Sequence, residues 1–233
     1  MEEKIDFLEN PLKDSNVKDA FGSIAEKLFK EYCIDCNGIK YYFAEIEFYY
    51  YEKGGKDGKW EEEWNSVTYA RDGYSAGDLF YHLSGIDICF ESLFNSKEDI
   101  YSAETTKTTT NAARYGGILL RSVTKVNDGS LIAGPLKCKD ELLNACKGGC
   151  MPKLEKLNLN QQEKRKNIVL KPSKRFLGKE LQPKENSLKF DLCFSDDTIS
   201  EWRNTKIKYI KSRKGIDDII KKEYPKYNRF NKI

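Results

Sequence analysis

The chain has 233 residues, of which 39% are hydrophobic and 33% charged, with a formal net charge of +3. That length suits one domain of above-average size or two small ones, and the composition is that of a globular protein with much surface. No run of about 18 apolar residues exists, which excludes a helical membrane span. The N-terminal residues MEEKIDFLEN lack a basic-then-apolar signal pattern, so a reducing cytoplasm is the expected compartment.

Residues 1–18 read as a polar lead-in to an α+β domain spanning 19–233. Asp19–Tyr32 carries Phe21, Ile24, Ala25, Leu28 and Phe29 at helical spacing and predicts an amphipathic helix. Asn37-Gly38 is a strong hairpin signal, joining a short strand that ends at Cys36 to a long one beginning at Ile39.

That long strand, Ile39–Tyr51, is aromatic and β-branched, yet it carries two glutamates. Strict alternation puts Ile39, Tyr41, Phe43, Glu45, Glu47, Tyr49 and Tyr51 on one face, with the two carboxylates fenced by rings. Carboxylates are rarely buried without a partner, because desolvating a charge costs several kcal/mol. Two readings follow: an edge strand with glutamates in water or paired to lysines, or an aromatic cleft that holds a flat ring and moves a proton.

Further along, residues 59–76 read as an irregular loop bearing Trp60, Trp64, Tyr69 and Tyr74, as buried pins or a binding surface. Strands are expected at Leu79–Leu83, Ile86–Phe90 and Gly117–Val126, with Ser102–Asn111 a loop. Gly134-Pro135 opens a helix near Lys139–Cys146. Residues 161–187, rich in Lys, Pro and Gln, read as a basic, mobile insertion, followed by strands at Leu188–Phe194 and Lys206–Lys211. Helices before and between strands, without an internal repeat, predict a single domain with a curved antiparallel sheet and flanking helices.

Charge is unevenly placed. Residues 161–233 hold 20 Lys+Arg against 10 Asp+Glu, whereas residues 1–160 hold 20 against 27. A basic C-terminal third suits a phosphate-contacting face as readily as a solvated lysine-rich surface.

The seven cysteines, Cys33, Cys36, Cys89, Cys138, Cys146, Cys150 and Cys193, are odd in number, which argues against a disulfide framework. Cys33 and Cys36 with Cys146 and Cys150 resemble a four-cysteine zinc pattern, but an odd offset within a strand points the first two to opposite faces. No metal is therefore expected. His82 is the sole histidine, which excludes a multi-histidine metal site.

Several motifs, in order, resemble the mammalian-type alkyladenine (3-methyladenine) DNA glycosylases. Phe43–Tyr49 (FAEIEFY) is similar to their V-E-T-E-A-Y strand, and Gly77–Phe90 (GDLFYHLSGIDICF) to their G-x-L-Y-V-Y-x-x-Y-G-M-x-x-C stretch, one residue shorter. Gly117–Val123 (GILLRSV) resembles V-L-L-R-A-L, and Gly134-Pro135 with Lys137 the G-P-x-K turn. Arg213–Ile216 (RKGI), then Pro225 and Arg229-Phe230, resembles the P-R-x-G-I…P-W-R-F finish.

The resemblance covers roughly residues 20–231 and implies a monomeric DNA-base glycosylase that needs no cofactor and acts on double-stranded DNA. Such enzymes evert a nucleotide, stack its base on aromatic rings and hydrolyse the N-glycosidic bond. By position Glu47 is the general base and Glu45 its strand neighbour. Tyr49 and His82 are the stacking groups, Arg121 the pocket arginine, and Arg213, Lys214 and Arg229 contact DNA.

Departures are equally specific. The family's water-positioning histidine has no counterpart in Gly55–Asn65, where Asp57, Glu61–Glu63 or Asn65 would substitute. The wedge tyrosine is replaced by Leu83 or Ser84, and a base-discriminating asparagine by Glu91, whose acceptor-only carboxylate favours an exocyclic amine. The missing histidine and wedge leave open a catalytically inactive nucleic-acid-binding protein on the same fold. A small-ligand pocket or protein-interaction domain is the third reading.

Overall fold

The computed structural model describes residues 5–11, 17–52, 74–83, 85–94, 112–146, 149–172 and 193–196. The chain divides into two units, Met1–Asp196 and Asp197–Ile233, and all described residues belong to the first.

A single turn, α1 (Asp6–Glu9), buries Leu8 completely. Helix α2 (Val17–Glu31) presents Phe21, Ile24, Ala25, Leu28 and Phe29 as one buried stripe, as their spacing requires. Strand β1 (Tyr32–Cys36) then turns into β2 (Ile39–Glu52). Asn37 and Gly38 both have positive φ, 55° and 84°, the backbone a tight two-residue hairpin needs.

Strands β3 (Leu79–His82) and β4 (Gly85–Cys89) form a second hairpin, followed by the short β5 (Leu93–Phe94). The long β6 (Ala112–Lys125) pairs with β2, and β7 (Leu131–Ala133) folds back on β6. Helix α3 (Pro135–Ala145) follows, with Pro135 in its first turn, where a missing N–H costs nothing.

Beyond it come β8 (Lys153–Lys156), α4 (Leu159–Arg165), β9 (Lys171–Pro172) and β10 (Cys193–Ser195). Strands β5, β7, β8 and β9 have no counterpart among the elements expected from the sequence, and neither does α4, which runs into the stretch expected to be an insertion. Its start was legible: Asn158 accepts from Gln161 N–H while the Gln161 side chain accepts from Asn158 N–H. Residues 173–187 lie outside the described residues, as do 188–192 and the strand expected at Lys206–Lys211.

The sheet runs β3-β4-β6-β2-β1-β8, antiparallel throughout, and curls into a half-barrel. Strand β2 lies inside it, flanked by β1, β6 and β10, so its glutamates are not at an edge. Every residue from Phe43 to Phe48 is buried, because both faces are covered. On one face Phe21 of α2 stacks on Phe48 and Phe90, at 4.5 and 5.8 Å between ring centroids. Burying each such ring stabilises the fold by roughly 1.5–3 kcal/mol.

The β2–β6 ladder is not regular throughout. Phe43 pairs with Val123 and Ile46 with Leu120 at one offset, but Glu45 between them pairs with Ser122. Strict alternation along Ile39–Tyr51 is thus interrupted once, at the glutamates, and resumes with the same pairing beyond them. A β-bulge-like irregularity of this kind re-aims a side chain locally.

Candidate functional site

Glu47 stands between Ile46 and Phe48, so alternation turns it to the face away from α2. It is fully buried, and Glu45 is 2% exposed. Arg121 of β6 joins them: its Nη1 donates to Glu47 Oε2 at 2.6 Å, and its Nε lies 3.6 Å from Glu45 Oε1. Ser122 Oγ donates to Glu45 Oε2 at 3.4 Å, across the ladder irregularity. Guanidinium stays charged at any accessible pH, and its planar fork here reaches both acids from one side chain.

The same face extends across two more strands. Leu119 of β6 pairs with Glu47 on one side and Asp87 of β4 on the other. Asp87 is 2% exposed, and its Oδ1 lies 3.1 Å from His82 Nε2. The His82 ring in turn lies nearly parallel to Phe80, with 5.7 Å between centroids, and Phe80 meets Tyr74 edge-on. A line of groups thus runs from the Glu45–Arg121–Glu47 cluster through Leu119 to Asp87 and His82.

Tyr49, two residues beyond Glu47 on β2, is half-buried opposite Gly117. The neighbouring Gly116 is obligatory, since a Cβ there would lie 2.3 Å from Tyr49 O and 2.9 Å from Tyr50 Cα. Close backbone approach is one reason glycine persists in a strand.

Helix α3 packs against β4 and β6 and bounds the acidic cluster. Burial pushes the Cys138 thiol up to about 12; Glu45 adds to the rise, and Arg121 opposes it. At the hairpin tip, Leu83 is 92% exposed, and Lys139 Nζ of α3 donates to the carbonyls of His82 and Leu83.

Glu91 Oε2 accepts from Ala76 N–H at 2.8 Å, and the Glu91 N–H donates to Leu8 O. Arg213, Lys214 and Arg229 lie outside the described residues, as do Ser84 and the histidine substitutes Asp57, Glu61–Glu63 and Asn65. So do Trp60, Trp64 and Tyr69.

Cys33 and Cys36 have different surroundings. Burial pushes the Cys33 thiol up to about 12, near Lys40 and Glu155. Burial and the adjacent Cys146 raise Cys36 well above the ordinary thiol range. Among the described residues, no group of three or more His, Cys, Asp and Glu is arranged to hold a metal ion. None of the described helices is long and apolar enough to cross a membrane.

Sequence reasoning missed Asp87, Ser122, Cys138 and Lys139. Asp87 carried a readable signal, a charge between Ile86 and Ile88 in a strand, the same signal that singled out Glu45 and Glu47. The other three became visible only through contacts between distant segments. Comparison with protein-family models, curated proteins and solved structures returns no match.

Proposed function

We propose that the chain is a monofunctional DNA-base glycosylase of the alkyladenine-glycosylase type. The observation that carries this reading is the Glu47–Arg121 pair, 2.6 Å apart on a buried sheet face whose neighbouring positions are Tyr49 and the Asp87–His82 pair. The base everted from duplex DNA stacks on Tyr49 and His82, and Leu83 fills the gap left in the helix.

Glu47 then accepts a proton from water as its oxygen attacks the sugar C1′ and the N-glycosidic bond breaks. The bonding electrons leave with the base, and the product is an abasic site. Arg121 holds Glu47 oriented before the water arrives. No lysine aligns with a Schiff-base nucleophile, so no strand-cleaving step follows. The basic residues 161–233 supply phosphate contacts.

A second reading, a catalytically inactive DNA-binding protein, is favoured by the complete burial of Glu47. Duplex DNA carrying a panel of damaged and modified bases, treated with alkali after incubation, separates the two. Cleavage by the wild type that falls about 10²–10⁴-fold in Glu47→Gln, the usual contribution of a general base, supports catalysis. Salt-dependent binding with no abasic product, equal in both proteins, supports the second reading. Absence of salt-sensitive binding removes both.

A further inference from the structure

Helix α3 is fastened to the sheet at its first turn. Gly134 N–H donates to Arg121 O at 2.8 Å, tying the helix start to β6. A Cβ on Gly85 would lie 2.8 Å from Leu119 Cδ1 and 3.0 Å from Pro135 Cβ, so glycine lets the helix rest directly on β4. Four residues after Pro135, and therefore on the same helix face, comes Lys139.

Its ammonium donates to His82 O at 2.9 Å and Leu83 O at 3.3 Å. These two carbonyls belong to the turn where β3 ends, and His82 there pairs with Gly85 of β4. A compact ammonium with three donors can hold both at once. Both carbonyls are thereby anchored to α3, while the Leu83 side chain projects 92% exposed into water.

We propose that Lys139 is a positioning residue for the β3–β4 turn, holding Leu83 in one direction for insertion into the base stack of a duplex. This rests on the DNA-acting reading above. An apolar side chain on a loose turn would lose backbone freedom on insertion; a turn already held loses little, so insertion is easier. Lys139 acts through Leu83 and touches no reacting atom.

The test uses the full chain as wild type, Lys139→Met, Lys139→Arg, Leu83→Ala and the Leu83→Ala/Lys139→Met double variant. Backbone relaxation of residues 82–85 in the free protein reads the turn. A duplex containing 2-aminopurine, which brightens when unstacked, reads insertion. Lys139→Met is expected to mobilise the turn and lower the unstacking constant about three- to tenfold, the net range of one ordinary intramolecular hydrogen bond.

Lys139→Arg is expected to restore most of that loss. In the Leu83→Ala background, Lys139→Met should add nothing, because the side chain it orients is gone. An unchanged turn in Lys139→Met, an undiminished loss in the Leu83→Ala background, or no unstacking by the wild type each overturns the proposal. Unstacking that depends on Lys139 without any abasic product supports it while sinking the glycosylase reading.

Discussion

Arg121 serves two carboxylates from one side chain, with Glu47 fully buried and Glu45 nearly so. Removing one member of a buried ionic group leaves the others desolvated and uncompensated, which costs more than the group contributes when intact. Arg121→Leu should therefore lower the unfolding free energy by about 3–5 kcal/mol, measured by urea titration. Arg121→Lys should recover only part of this, since a point charge cannot reach both acids as a planar fork does. A loss below about 0.5 kcal/mol in Arg121→Leu, the range of an ordinary surface change, would show that the cluster is not ionic as described. The acids themselves were legible in the sequence because charge inside an apolar strand needs a partner. The partner's identity was not legible from spacing, for Arg121 and Glu47 are 74 positions apart.

At the level of elements, the β2–β6 pairing controls where Tyr49 sits. Gly116→Ala would drive a methyl against Tyr49 O, Tyr50 Cα and Phe90 Cδ2, and two of those atoms are backbone. Backbone cannot rotate aside as a side chain does, so the strands must separate locally. Overpacking of this kind costs about 1–3 kcal/mol, and the thermal midpoint of Gly116→Ala should fall accordingly. An unchanged midpoint would mean that the two strands are not in register as paired. Helix α2 and the β1–β2 hairpin were legible because apolar periodicity and Asn-Gly are local signals. Strand β8 was not, because Lys153–Lys156 (KLEK) has two exposed lysines and a partner, β1, more than a hundred residues earlier. Helix α4 was masked by its composition: none of its residues is buried, so its one indication was the cap at Asn158.

For the whole molecule, buried thiols set an alkaline limit. Cys33 and Cys138 are fully buried, and burial raises both from the ordinary value of 9.0 to about 12. Below pH 9 both thiols are protonated in the folded and unfolded states alike, and they leave stability unaffected. Above it the unfolded chain releases protons that the folded chain retains, so unfolding becomes easier as pH rises towards 12. Each thiol should subtract about 1.4 kcal/mol per pH unit in that window, and Cys33→Ala should flatten the slope by that amount. A slope identical in wild type and Cys33→Ala, followed by urea unfolding from pH 8 to about 11, would rule out this linkage. Topology has a temporal consequence too. The β1–β2 hairpin needs only neighbours and can close in microseconds, but Glu45 and Glu47 wait for a strand far downstream. On a ribosome both acids emerge long before the guanidinium that will neutralise them, and their charge keeps the waiting strand hydrated until β6 arrives.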